Sequence, residues 1–228
     1  MKSIVLHHHL GLGDHFVCNG LVNHLCRFYD LIYLPCKEMN FITVDHLYAD
    51  NSKVVVFSIK VRETDGTEKE HERVNEFSRI YNVPVYKLGF KNCNKKEFNT
   101  SFYRQLNLNF SMRYELFRLP SQIPFEEEIF KLFSKKQYCL VHREGSIGKF
   151  EISISTDLPI VEIEKDTNPY GSLLNYRKLI MNAAEIHCIN SSIFHFVDSL
   201  DVRGRHVYHD VRKLDFKISD KWQVIEYD

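Results

Sequence analysis

Residues 2–29 place an apolar run, a glycine turn and a periodic apolar segment in immediate succession, and few folds accept that order. Ile4, Val5 and Leu6 are β-branched or aliphatic and read as a buried strand, while Leu21, Leu25 and Phe28 recur at helical spacing after the turn Gly11-Leu12-Gly13-Asp14. That is one βα unit. Glycines at 11 and 13 allow a tight turn and a close backbone approach, which puts the Asp14 carboxylate at a helix N-terminus and at the mouth of a cleft. A carboxylate there can act as an ordinary helix N-cap or as a chemical group.

The alternation continues along the chain. Residues 31–34 read as a second strand closed by Pro35, residues 41–48 as a short helix or loop, and Val54, Val55, Val56 and Phe57 as a buried third strand. Uninterrupted apolar strands alternating with helices predict α/β architecture, with mainly parallel sheets covered on both faces. Residues 62–69 read as an exposed charged loop, followed by a helix that starts at a capping box, Thr67 to Glu70, and runs to about Tyr81. Residues 83–86 give a strand near an edge, because Pro84 has no backbone donor. Phe98, Phe102 and Leu106 predict an amphipathic helix over 95–106, and 112–117 a further short one. Two prolines in residues 119–124 mark a linker, dividing the chain into a first domain, 1–120, and a second, 121–228.

The second half is expected to run from a helix over 125–136 through strands at 138–141 and 159–163, a helix over 172–184, a strand at Ile186, a helix from Ser192 and a last strand at 206–208. Two of its turns carry polar groups. Arg143 and Lys149 lie in a glycine-bearing turn at the C-terminal end of a strand, where ligands bind in open α/β sheets. Asn190, Ser191 and Ser192 form another, and hydroxyls with free backbone N–H groups at a helix start suit a nucleotide diphosphate; a plain Ser or Asn cap is the alternative.

Gly13-Asp14 near the start, and Asn190-Ser191-Ser192 followed by His195 near the end, resemble the glycosyltransferases of the GT-B fold, in particular the heptosyltransferase-like group. The chain is shorter than that family, and carries Asn-Ser-Ser where an Asp-Thr-Gly type of turn is commoner. The resemblance implies two Rossmann-like halves flanking a cleft: an acceptor-side N-terminal domain and a nucleotide-sugar C-terminal domain, with residues around Trp222 returning to the first half. It also implies transfer of a hexosyl or pentosyl group from a nucleotide sugar to a hydroxyl of a glycan acceptor. Such transfer needs a base for the acceptor proton and cationic or dipolar groups for the departing diphosphate. Asp14 suits the first task. Arg143, Lys149, Asn190, Ser191, Ser192 and His195 suit the second, while Gly11, Gly13, His9 and His15 would line the acceptor side.

No Asp-x-Asp motif occurs, so a metal-independent reaction without further cofactor fits. His7 and His9 project to one side of a strand and invite a zinc site, but no third ligand stands at recognisable spacing. Thirty basic and thirty acidic residues give zero formal charge, which offers nucleic acid or an anionic membrane no global field. Six cysteines without a C-x-x-C pair, no signal-peptide core and no run long enough to span a bilayer point to reduced thiols and a cytoplasmic enzyme. The competing readings are a Rossmann-type methyltransferase or nucleotide-sugar modifying enzyme, for which Gly-x-Gly-Asp is suggestive although the full GxGxxG is missing, and a nucleotide- or glycan-binding module without turnover. The sequence leaves open the donor, the acceptor, the stereochemistry and the oligomeric state.

Overall fold

The computed structural model describes residues 1–62, 65–94, 96–133, 136–164, 167–213 and 216–227. The chain divides into two compact units, Met1–Ser121 and Gln122–Asp228. Each is built on a wholly parallel sheet.

In the first unit the elements run β1 (Ser3–His7), α1 (Leu12–Leu25), β2 (Leu31–Lys37), α2 (Phe41–Leu47), β3 (Val54–Ile59), α3 (Thr67–Tyr81), β4 (Val85–Lys87), α4 (Thr100–Arg104) and α5 (Met112–Glu115). The sheet order is β3-β2-β1-β4. β1 is an inner strand, paired with β2 from Ser3 opposite Leu31 and with β4 from Val5 opposite Val85. Val5 and Leu6 are fully buried, as an inner parallel strand covered on both faces requires. On one face Val5, Leu10, Ile59, Val74 and Val83 form a core, extended by Phe57 and Phe77, whose rings stack 3.8 Å apart. α1 is itself almost wholly interior: Phe16, Val17, Cys18, Leu21 and Val22 are all buried. β4 stands at the edge, where the proline before it costs no ladder bond.

The second unit runs α6 (Glu126–Phe133), β5 (Cys139–His142), β6 (Glu144–Gly145), β7 (Gly148–Lys149), β8 (Ile160–Glu162), α7 (Arg177–Met181), β9 (Glu185–Ile189), α8 (Ser192–Asp198), β10 (Arg205–Asp210) and β11 (Trp222–Glu226). Its sheet order is β11-β10-β9-β5-β8. Phe194 of α8 packs against Tyr208 and Trp222, with ring centroids 4.9 and 4.8 Å away. Lys221 donates to the carbonyls of Val197, Asp198 and Leu200 at the end of α8, where helical carbonyls lack their full complement of partners. Among the described residues no helix is long and apolar enough to cross a membrane.

Several elements differ from the sequence reading. Trp222–Glu226 is a fifth strand of the second sheet, parallel to β10, where a segment returning to the first half was expected. Residues 144–149 form a small antiparallel hairpin in place of an open glycine turn. The helix expected over 95–106 shrinks to α4; Lys95 lies outside the described residues, and the Ser101 hydroxyl accepts from the Asn94 N–H, a local bond that competes with helix. The helix over 172–184 begins as a 3-10 turn, Leu173–Tyr176, because the Asn168 side chain holds the Ser172 carbonyl and Asn175. The end of the helix over 125–136 includes Ser134 and Lys135, which also lie outside the described residues.

Gly20 lets α1 and α5 approach closely. A Cβ there would press on the Met112 carbonyl oxygen and the Arg113 backbone, neither of which can swing aside. Gly20→Ala is expected to lower unfolding free energy by about 1–3 kcal/mol in denaturant titration despite its higher helix propensity.

Candidate functional site

In a parallel sheet every strand exits on the same side, so the groups that follow β1, β2 and β3 gather along one rim. Asp14 follows β1. It is not the N-cap: Gly11 holds that position in extended backbone (φ −64°, ψ 142°), and Asp14 is the third residue of the first helical turn. From there its carboxylate folds back and accepts the Gly11 backbone N–H, the return half of a capping box. A Cβ at 11 would lie 2.6 Å from Asp14 Oδ2, so a larger residue there would displace the carboxylate from this position. Gly13, inside the same turn, adds no side chain to the rim.

Two charged groups that the sequence reading did not assign join Asp14. Lys37 ends β2, and Glu70 lies in the first turn of α3; their side chains pair at 3.0 Å and are only 16% and 6% exposed. The expected capping box at Thr67 does not form, because Gly66 is the N-cap and Glu70 is taken by Lys37. Burial, reinforced by the negative charge of Glu70, pushes the Asp14 carboxyl up to about 7, while the Gly11 N–H and Lys37 oppose the rise. A half-buried carboxyl poised near neutrality can accept and return a proton under ordinary conditions.

Around this rim stand the histidines. The His9 ring bonds the Gly89 carbonyl at 2.7 Å and stacks on Phe90, at 4.4 Å between centroids. His7 meets the same Phe90 and also His71, each at 4.9 Å. His8 packs edge-on against His15 at 4.6 Å. His15 is fully buried, so it lies beneath the rim and not on it; neither of its ring nitrogens has a hydrogen-bond partner among the described residues. Burial lowers the titration of all four, His7 to about 3 and His8 to about 4, and keeps these imidazoles neutral at physiological pH.

In the second unit the residues expected to hold a diphosphate are dispersed among other partners. Arg143 donates to Glu162 at 2.8 Å and to Glu151 at 3.2 Å. Lys149 pairs with Glu162 at 3.0 Å and also with Glu164. Both cations are thus already balanced by carboxylates. Ser191 caps α8, its hydroxyl accepting from Phe194 N–H at 3.3 Å, and the Asn190 carbonyl receives Arg212 at 2.8 Å. Ser192 opens the helix, and His195 lies between Phe194 and Phe216, at 5.2 and 5.4 Å.

One further cluster has metal-ligand chemistry. Cys139, Glu185 and His187 present a thiol, a carboxylate oxygen and an imidazole nitrogen within 4.8 Å of one another, all buried. Their polar atoms are mostly committed: Glu185 accepts from Arg205 at 2.6 Å and Thr156 at 2.7 Å and meets His187 at 3.0 Å, while His187 bonds His209 at 2.8 Å. Burial holds the Cys139 thiol up at about 12. The cluster is a satisfied hydrogen-bond network as it stands.

Against this geometry the comparisons can be set. No protein-family model matches the sequence, and no curated protein matches it by sequence. Solved structures do match in fold. A glycosyl transferase of family 9 from Veillonella parvula is similar over 99% of this chain and 86% of its own, with TM-score 0.58 and 10% identity. The iron-containing dodecameric glycosyltransferase TibC from enterotoxigenic E. coli is similar over 97% of this chain and 61% of its own, with TM-score 0.59 and 11% identity. E. coli heptosyltransferase WaaC with ADP is similar over the whole of this chain and 94% of its own, with TM-score 0.54 and 8% identity. At such identities the shared property is the fold, and it is the heptosyltransferase-like GT-B architecture that the two short motifs resemble.

The Asp14 environment has a measurable thermodynamic consequence. A carboxyl raised from its unfolded value near 4 to about 7 binds more protons in the folded state, so its contribution favours folding at low pH and is lost as pH rises between those values. Asp14→Asn is therefore expected to leave stability near wild type at pH 4 and to raise it at pH 8. Partial solvent access to the residue limits the gain to roughly 1–3 kcal/mol, readable as a pH-dependent difference in melting temperature.

Proposed function

We propose that this protein is a glycosyltransferase that moves a sugar from a nucleotide-sugar donor to a hydroxyl of a glycan acceptor, with Asp14 as the base. The observation that carries the reading is the placement of Asp14: a carboxyl at the exit of an inner parallel strand, folded over Gly11 and poised near neutrality. The likeness in fold to glycosyltransferases over nearly the whole chain supports it.

In the proposed reaction the acceptor oxygen forms a bond to the anomeric carbon as its proton passes to the Asp14 carboxylate. The bond from that carbon to the donor phosphate breaks, and the electron pair leaves with the diphosphate. Donor contacts are assigned to Asn190, Ser191, Ser192 and His195, with Arg143 and Lys149 contributing charge after exchanging a carboxylate partner for phosphate. Gly11, Gly13 and His9 are assigned to the acceptor side, with His15 supporting them from beneath. No metal is required in this scheme, because hydroxyl, backbone and cationic groups share the leaving charge. The sugar, hexosyl, pentosyl or larger, is left open.

Asp14→Asn separates the role of base from that of helix cap, since an amide oxygen can still accept the Gly11 N–H. The variant is expected to fold and to bind nucleotide sugar, yet to lose transfer by roughly 10²- to 10⁴-fold. Unchanged turnover would remove Asp14 from the mechanism and direct the search to His9, His15 or Glu144.

A second reading, a nucleotide- or glycan-binding module without turnover, is favoured by the full neutralisation of Arg143 and Lys149 by glutamates. A panel of nucleotide sugars, assayed for hydrolysis and transfer with and without chelator, distinguishes the two. Transfer that survives chelator supports the first. Calorimetric binding with no turnover across the panel supports the second. Nucleotide affinity unchanged in Ser191→Ala combined with Arg143→Ala would place the donor elsewhere.

A further inference from the structure

In the second sheet a row of polar side chains has no task in the transfer scheme. Cys139 opens β5, Glu185 opens β9 and Arg205 opens β10, whereas Arg143 and Asn190 follow the opposite ends of β5 and β9. Parallel pairing sets Cys139 and Arg205 opposite Glu185 on its two sides, and His187, two residues along β9, shares its face. The Cys139 sulfur, a Glu185 oxygen and a His187 nitrogen therefore lie within 4.8 Å of one another, all three residues buried. Withdrawing a carboxylate and an imidazole from water costs free energy that apolar residues in the same sheet would not incur.

The hydrogen bonds of this row have a direction. Glu185 Oε1 meets His187 Nε2 at 3.0 Å, His187 Nδ1 meets His209 Nε2 at 2.8 Å, and His209 Nδ1 meets the Tyr227 hydroxyl at 2.7 Å. With Glu185 ionised and one ring hydrogen on each imidazole, the three contacts need three hydrogens and have three. They fit one way only: Tyr227 donates to His209 Nδ1, His209 Nε2–H to His187 Nδ1, and His187 Nε2–H to Glu185. The Tyr227 oxygen remains free to accept the Ser153 N–H, as it does at 2.9 Å. A cation bound at His187 Nε2 reverses the series. The ring hydrogen of His187 then sits on Nδ1 and is donated to His209 Nε2, His209 Nδ1–H is donated to the Tyr227 oxygen, and the half-buried tyrosine turns its own O–H to water. The imidazoles neither gain nor lose a hydrogen, and each ring nitrogen keeps a partner.

We propose that Cys139, Glu185 and His187 form a binding site for one zinc ion, with His209 and Tyr227 as its outer partners. Thiolate, carboxylate and imidazole together are a ligand set that zinc takes, and His187 Nδ1 already has the partner that a metal-bound imidazole needs. Zinc bonds of about 2.0–2.3 Å set tetrahedral ligand atoms roughly 3.3–3.8 Å apart, so small side-chain rotations draw these three together, and water fills the fourth position. Cys139 is a free buried thiol that takes no part in the hydrogen bonds above, so its sulfur is available. Its S–H proton passes to solvent as the Zn–S bond forms, and thiolate and carboxylate then balance the two charges of the ion. Arg205 now donates to Glu185 Oε1 at 2.6 Å; it is half exposed and also bonds Gln223, so it can yield that oxygen and keep a partner. Thr156 holds the other Glu185 oxygen at 2.7 Å. The ion would tie β5 to β9 as a structural clamp, independent of the transfer reading.

The test does not depend on turnover. The full chain, freed of metal by chelator and desalted, is titrated with cobalt(II) as a spectroscopic stand-in and then with zinc(II). One equivalent of cobalt should bind and produce a thiolate-to-cobalt charge-transfer band in the near ultraviolet, which one equivalent of zinc then removes. Cys139→Ala should lose the band and weaken zinc binding by at least about 100-fold, and His209→Phe, which removes the outer partner, should weaken it about 10- to 100-fold. Because either variant can fail to fold, the wild-type chain carries a second readout, ¹⁵N NMR of the imidazoles. Without metal, His187 and His209 should both carry their ring hydrogen on Nε2, and one equivalent of zinc should move both to Nδ1. Absence of the cobalt band, a band retained in folded Cys139→Ala and therefore owed to another thiol, or tautomers that zinc leaves unchanged each overturn the proposal.

Discussion

Parallel pairing governs this molecule. Parallel strands cannot be joined by tight hairpins, so every connection within each sheet must cross a face, and both faces of the inner strands become covered. Two consequences follow in the first unit. Ile4, Val5 and Leu6 have no solvent side and must be apolar throughout. Side chains with chemical capacity are excluded from the middle of the sheet and collect where the strands end. Asp14, Lys37 and Glu70 stand 23 and 33 positions apart in sequence, and only the shared direction of β1, β2 and β3 brings them to one rim.

The same constraint accounts for the unusual number of buried imidazoles. β1 runs directly into three histidines, and a chain leaving an inner strand has no immediate access to water. His7 and His8 therefore remain in the interior, packed on aromatic rings and on His71 and His15. An imidazole tolerates this position because it can stay neutral, which a lysine or carboxylate in the same place would do only at greater cost. In the second unit the response to burial is different. Glu185, His187, His209 and Tyr227 join in one hydrogen-bonded series across β9, β10 and the residue after β11, and the charge of Glu185 is answered by Arg205. That network is closed, whereas at the rim of the first unit Lys37 is paired with Glu70 and Asp14 is held by the Gly11 N–H.

What the sequence could reveal depended on how local the cause was. Alternating apolar runs and periodic segments are local, and they gave the parallel α/β class, the inner strand at Ile4 to Leu6 and the glycine turn before Asp14. Of the two readings of Asp14, the N-cap came from a local rule, the preference of aspartate for that position, and it gives way because Gly11 holds the cap and Asp14 is the third residue of the helix. Glu70 was read as a capping-box partner for Thr67, since the spacing fits; its actual partner, Lys37, lies one crossover earlier and no local pattern names it. The segment at Trp222 was assigned by resemblance to a returning tail; its burial pattern, with Trp222 alone fully covered, shows no clean alternation, and only the pairing with β10 identifies it as a strand. Resemblance carried the architecture at long range and failed for a single element.

The charge balance at the rim also explains why Asp14 and Glu70 are both acidic without being redundant. Two carboxylates close together in a low-dielectric setting do not ionise independently; one holds its charge and the other retains its proton to higher pH. Lys37 settles which is which. It pairs directly with Glu70, and Asp14 is left with a backbone N–H as its main stabilising partner. A backbone donor favours the carboxylate without cancelling its charge, so Asp14 remains able to take a proton and release it. Were the lysine placed against Asp14 instead, that carboxyl would lie in the ordinary acidic range and serve only as a weak base at neutral pH. The division of labour thus follows from Lys37, the last residue of β2, pairing with Glu70 of α3.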